Sequence, residues 1–185
     1  MQKFCKFLLK LMGWKTPDTA PVLEDKCIIL GVPHTSAMDY LISWVYYRSI
    51  GGYPKIMVKS SFFWGPLGPV MKAMGAVPVD RSKGSSVALQ IIHHLNSCDN
   101  FHLAIAPEGT RKAVKRWKSG FLTIAKACNL NVYAGYFDWR TKTIGHGEKL
   151  ELSGDTAADL KYVQHYYHLK NYQGRHPECY TTGEE

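Results

Sequence analysis

Two side chains that could share a proton stand five residues apart, His34 and Asp39. A carboxylate on one imidazole nitrogen fixes the tautomer and leaves the other nitrogen free to accept a proton. That is the equipment of a general base. Five residues of α-helix turn the chain by about 500°, so both positions inside one helix would face different ways. The pair works only if His34 lies outside the helix that carries Asp39. The local sequence provides that break. The apolar run from Cys27 to Val32 stops at Pro33, and a proline disfavours a helical residue before it. Ser36-Ala37-Met38-Asp39 then reads as a helix start, with a Ser cap and an acid in the first turn.

The spacing alone is not specific. Eight His and eight Asp residues give about a third of one such pair by chance, and His94–Asp99 is a second instance. Context separates the two. His34 follows a buried-strand pattern, and open α/β sheets place ligands at the carboxyl ends of their strands. His94 falls late in a helical pattern, with no strand end beside it. Two more apolar runs end in the same way. Gly75 to Val79 is followed by Asp80-Arg81, and residues 101–106 are followed by Pro107-Glu108-Gly109-Thr110-Arg111. In a mostly parallel sheet these three ends lie on one edge. Arg81 and Arg111 have the fork geometry to grip a phosphate, although a surface ion pair is the commoner fate of an arginine. Gly109 lets the backbone approach a ligand closely. Glu108 is placed to orient a hydroxyl or a loop amide.

The elements that must hold these groups alternate between apolar strands and helices. Strands are expected at 26–33, 55–58, 75–79, 101–106 and 131–137. Helices are expected at 36–48, 84–97, 118–128 and 156–169, the last capped by Thr156. Residues 142–152 suggest a polar edge strand or hairpin. The pattern predicts an α/β fold with a mostly parallel or mixed central sheet flanked by helices. Residues 1–21 make an amphipathic helix and linker, 22–170 the main domain, and 171–185 a frayed tail. In the first helix Phe4, Phe7, Leu8 and Leu11 recur at helical spacing, with Lys3, Lys6 and Lys10 largely opposite. It is too short and too charged to cross a bilayer and lacks the marks of a signal peptide. It reads either as an in-plane helix at an anionic membrane surface or as a helix docked on the domain. The Gly/Pro-rich aromatic loop from Ser61 to Pro69 reads as dipping into a membrane interface, as walling an acyl channel, or as packed on the core.

Composition narrows the partners. The chain has 185 residues, a net charge of +8 and 45% hydrophobic residues, which describes one folded domain suited to anionic partners. Five scattered cysteines without a CxxC pair fit reduced thiols in the cytosol, with neither a disulfide framework nor a zinc site. Lys112, Lys115, Arg116 and Lys118 surround Trp117. This run suits lipid headgroups or a phosphorylated carrier, or is simply a solvated helix face. No recognised nucleic-acid motif is present.

Taken together, the blocks resemble the glycerophospholipid acyltransferases, which include 1-acylglycerol-3-phosphate acyltransferase. The HX4D block is His34 to Asp39, the second block Gly75 to Arg81, the third Ala106 to Arg111, and a weaker fourth Val132 to Tyr136. The resemblance spans residues 26–137 and is nearest to short bacterial members. It implies a glycerol-3-phosphate acyltransferase-like fold. It also implies transfer of a fatty acyl group from acyl-CoA or acyl carrier protein to the hydroxyl of a lysophospholipid, chiefly 1-acylglycerol-3-phosphate to phosphatidic acid. His34 would be the base and Asp39 its orienting partner. Arg81 and Arg111 would hold the phosphate, with Glu108, Gly109 and Thr110 shaping the acceptor site. No metal, cofactor or nucleic acid is expected. The implied location is cytoplasmic, peripheral on the inner face of the cell membrane. Direct attack on the thioester fits the lack of a G-x-S-x-G nucleophile elbow. Pro33 and Ala106 depart from the family's usual residues, the fourth block lacks its prolines, and the long hydrophobic N-terminal region of many members is missing. Two alternatives stand beside this reading: an acyltransferase for another lysolipid, such as a lyso-aminolipid, and a non-catalytic lipid-binding protein.

Overall fold

Five of the apolar runs pair into a single parallel sheet. The structure is a computed structural model, and it describes residues 1–80 and 87–184. The strands are β1 (Lys26–Leu30), β2 (Pro54–Lys59), β3 (Ala76–Val79), β4 (Phe101–Ile105) and β5 (Asn131–Tyr133). Their spatial order is β3-β2-β4-β1-β5, and every pairing is parallel. Strands buried on both faces read as continuous hydrophobic runs, which is how β1 and β4 read in the sequence.

Alternation along β1 assigns the two cores. Ile28 and Leu30 face one side, where they pack with Ile91 and Leu95 of α4 (Val87–Asn96), Phe121 and Ile124 of α5 (Gly120–Cys128), and Val163 and Tyr167 of α6 (Thr156–Lys170). Cys27 and Ile29 face the other side. There they meet Ile42, Val45 and Tyr46 of α2 (Met38–Ser49) and Cys5 and Leu9 of α1 (Gln2–Leu11). The result is three layers, helix–sheet–helix. A short helix α3 (Leu67–Ala73) precedes β3. Strands β6 (Tyr136–Asp138) and β7 (Thr143–Gly145) form a separate antiparallel hairpin.

Several expectations are refined. The strand expected at 131–137 is two strands, β5 and β6, with Ala134 and Gly135 between them. Gly135 is pressed against β1, where a Cβ would collide with the Leu30 carbonyl oxygen. The cap of α6 is Asp155 rather than Thr156: its Oδ1 accepts from Ala157 N and Ala158 N, both at 2.8 Å. Either residue type can cap, and the carboxylate reaches both orphan amides at once. Helix α2 begins at Met38, and Ser36 Oγ accepts from Met38 N at 3.2 Å.

The C-terminal segment is not frayed up to residue 184. Tyr172 stacks on Tyr136 with ring centroids 4.4 Å apart. Trp139 N donates to Gln173 O at 2.8 Å, and Trp117 Nε1 donates to Thr181 O at 3.1 Å. Its aromatic residues give this tail apolar surface to bury, which its polar composition conceals. Helix α1 is docked through Cys5 and Leu9, yet it leaves Phe4, Phe7 and Leu11 58%, 61% and 71% exposed. No helix among the described residues is long and apolar enough to cross a membrane.

Candidate active site

The sheet order sets β1 and β4 side by side, so the loops at their carboxyl ends leave the sheet together. Leu30 pairs with Ile105, and Gly31 N still donates to Ile105 O at 3.0 Å. On its other side the chain is held by β6, where Phe137 N donates to Val32 O at 3.1 Å. These two ties carry His34 to the sheet edge before α2 starts.

Asp39 lies in the first turn of α2 and is 2% exposed. Its Oδ2 accepts from Thr35 N at 2.9 Å and Ser36 N at 2.7 Å, and stands 3.2 Å from His34 Nδ1. Its Oδ1 accepts from Trp139 Nε1 at 2.9 Å. A carboxylate at Nδ1 selects the tautomer with the proton there and leaves Nε2 as the acceptor. The His34 side chain is 27% exposed, and Nε2 has no hydrogen-bond partner among the described residues. The histidine precedes the helix, and the aspartate reaches back to it.

Glu108 reaches in from the loop after β4. It is 3% exposed, and its Oε1 accepts from the His34 backbone N at 2.8 Å. Of the two roles the sequence allowed it, the observed contact is to a loop amide. Its Oε2 has no partner among the described residues. Burial raises the Glu108 carboxyl from 4.5 to about 7, against the lowering effect of the His34 amide.

A stability prediction follows. Between about pH 4.5 and 7 the folded chain keeps a proton on Glu108 that the unfolded chain releases, so this group's contribution weakens as pH rises through that window. Above it the cost reaches about 3 kcal/mol. Glu108→Gln keeps an acceptor for the His34 amide and removes the ionisation. Urea unfolding at about pH 5 and about pH 8 should show the variant gaining on the native chain as pH rises. An identical pH profile in the two proteins would mean the carboxyl does not titrate as stated.

The rest of the third block forms the turn beyond Glu108. Gly109 has φ +66° and its N donates to Ala106 O at 3.1 Å, a left-handed turn suited to glycine. Thr110 is half-buried and Arg111 is exposed on the same loop. Lys118 N donates to Pro107 O at 2.7 Å and closes that loop. Trp117 is not a surface residue between lysines: it is 2% exposed and packs on Tyr167 and Tyr180. Lys112, Lys115, Arg116 and Lys118 are exposed around it. Arg81 lies outside the described residues. The second His–Asp spacing forms no pair, since no bond joins His94 to Asp99. No group of three or more His, Cys, Asp or Glu among the described residues could hold a metal ion.

A cavity of about 440 Å³ lies elsewhere, between the carboxyl-terminal ends of α1 and α2, and is lined by Lys6, Lys10 and Lys15. Two helix C-termini give it partial negative charge, which the lysines offset, so it makes a poor anion site.

The sequence model of the Acyltransferase family matches residues 16–137, about two thirds of the chain, including His34, Asp39 and Glu108. The chain belongs to the acyltransferase family. No curated protein sequence matches it. Its fold is similar to the crystal structure of the 1-acyl-sn-glycerophosphate acyltransferase PlsC from Thermotoga maritima. The TM-score is 0.58 at 17% identity, over 94% of this chain and 80% of that one. This acyltransferase thus has the α/β architecture expected for the family. The residue that sequence reasoning missed is Trp139. It lies just beyond the matched span, and nothing in its neighbourhood marks it as a partner for Asp39.

Proposed function

We propose that this acyltransferase moves a fatty acyl chain from acyl-CoA or acyl carrier protein to the free hydroxyl of a lysophospholipid. The preferred acceptor is 1-acylglycerol-3-phosphate and the product phosphatidic acid. The observation that carries this reading is the His34–Asp39 pair, with Nδ1 on a buried carboxylate and Nε2 unpartnered at a partly exposed edge.

In this reading His34 Nε2 takes the proton as the hydroxyl oxygen attacks the thioester carbonyl. The tetrahedral intermediate collapses, the C–S bond breaks, and the imidazolium returns the proton to the departing thiolate. The ester bond forms in that one attack, without an acyl-enzyme. Arg81 and Arg111 hold the acceptor phosphate, and Gly109 and Thr110 bring backbone and hydroxyl close to it. Glu108, through the His34 amide, keeps the base in register with the loop that carries Arg111. The test is acyl transfer by the purified protein on a panel of lysolipids with both donor types. Phosphatidic acid should form, and acceptors without the phosphate should react at least about tenfold more slowly. Transfer only to a lyso-aminolipid, or lipid binding without transfer, would replace this reading.

The acceptor is a membrane lipid, and α1 suits that surface. Phe4, Phe7 and Leu11 are exposed on one flank, and Lys3, Lys6 and Lys10 are exposed on the other. An in-plane helix buries such a flank at the acyl boundary while its lysines meet anionic headgroups. The enzyme then sits peripherally on the inner face of the cell membrane. Serine at Phe4, Phe7 and Leu11 together should weaken co-sedimentation with anionic vesicles by about tenfold or more. The three side chains lie outside the core, so folding should persist. Unchanged sedimentation would remove α1 from the interface.

A further inference from the structure

We propose that Trp139 is a positioning residue for the catalytic pair: its indole N–H fixes the plane of the Asp39 carboxylate and so aims Oδ2 at His34. This rests on the reading of His34 as the base.

The two oxygens of Asp39 are held unequally. Oδ2 faces three donors, the amides of Thr35 and Ser36 and the ring Nδ1 of His34. Oδ1 has one partner among the described residues, Trp139 Nε1 at 2.9 Å. The last torsion of a carboxylate is soft, so only the bonds to its oxygens hold its plane. Rotation would carry Oδ2 away from the imidazole. The Thr35 and Ser36 amides resist this at Oδ2, and the indole adds the restraint at Oδ1. Asp39 is 2% exposed, so water is poorly placed to take the indole's role.

The indole is itself fixed from several directions. Its backbone N donates to Gln173 O at 2.8 Å. The ring meets Trp14 edge-on, with centroids 5.1 Å apart at 84°. Lys142 and Arg175 stand over it at 4.8 Å and 5.1 Å from the ring centre. The preceding Asp138 is buried and ties the turn together by accepting from Arg140 N, Thr141 Oγ1 and Gln173 N. Contacts from residues 14, 142 and 175 therefore converge on one ring whose N–H points at Asp39, and residue 173 holds the backbone that carries it. Such a supporting group does not touch substrate, yet it decides how well the base is aimed.

The experiment compares three proteins. Trp139→Phe removes the N–H with part of the ring. Benzothienylalanine at position 139 keeps the bicyclic shape and replaces only the N–H by sulfur. His34→Ala is the reference. Both Trp139 replacements should lower kcat by about 10- to 100-fold, as expected for a lost bond to a charged group, with KM within about twofold. The benzothienyl protein should stay folded and melt only several degrees below the native chain, the cost of one lost bond to a buried carboxylate. In proton NMR the His34 Nδ1–H resonance should shift in both Trp139 proteins. Native kcat in the benzothienyl protein would overturn the proposal, as would a loss confined to KM or to melting temperature. Full activity in His34→Ala would instead overturn the reading of the base, so the two failures are distinguishable.

Discussion

His34→Ala should lower kcat by about 10²–10⁴-fold and leave the fold intact. The reason lies in which atoms of residue 34 do what. The backbone N holds the loop, donating to Glu108 Oε1 at 2.8 Å, and alanine keeps that bond. The side chain is 27% exposed and fills no core, so its removal opens no closed cavity. What alanine lacks is the acceptor nitrogen. No other histidine is poised to take over. His102 lies in β4 with its ring buried between Tyr47 OH at 2.6 Å and Glu24 O at 2.7 Å, and burial lowers its affinity for protons. The acceptor hydroxyl must then give its proton to water. KM should hold, because phosphate binding is assigned to other residues. Steady-state acyl transfer and a thermal melt on the same preparation separate the two effects. Activity within about tenfold of native would end the role of His34 as general base.

How far the chain could be read in advance depended on where its information sits. Strands β1 and β4 are legible because a strand buried on both faces is mostly apolar, His102 being the exception in β4, and Pro33 and Pro107 follow where each stops. The sequence pattern implies only that their ends share an edge. The order β3-β2-β4-β1-β5 comes from long-range pairing, which local pattern does not encode. The bond between His34 and Asp39 was legible because it is local, a loop residue and a first-turn acid five positions apart. Glu108, Trp117 and Trp139 bond to partners 74, 64 and 100 residues away, pairings that no local spacing encodes. Trp117 shows the limit well. Four cations around an indole imply a surface, yet the indole points inward to Tyr167 and Tyr180. The tail departs from its expected disorder for a related reason. Its polar residues set its average character, while Tyr172 and Tyr180 do the packing.

Asp39→Asn should be costly in both stability and rate, although it changes little in volume. The carboxylate accepts from four donors: two backbone amides, an imidazole and an indole. An asparagine side chain has one acceptor oxygen and one donor nitrogen. Turned one way, its NH₂ faces Thr35 N and Ser36 N, donor against donor. Turned the other way, it faces the indole N–H instead. No rotamer satisfies all four in a site that is 2% exposed. The stability loss should be about 2–4 kcal/mol, read by urea unfolding. The rate should fall by about 10²–10⁴-fold, because an amide neither holds the Nδ1–H tautomer nor stabilises the imidazolium. The double variant with His34→Ala sharpens the argument. If Asp39 acts through His34, the rate losses do not multiply, and the double variant is about as slow as His34→Ala alone. The stability losses should still add roughly, since alanine at position 34 leaves the amide and indole bonds to Asp39 in place. A double variant slower by the full product of both factors would mean Asp39 acts on the substrate independently of the imidazole.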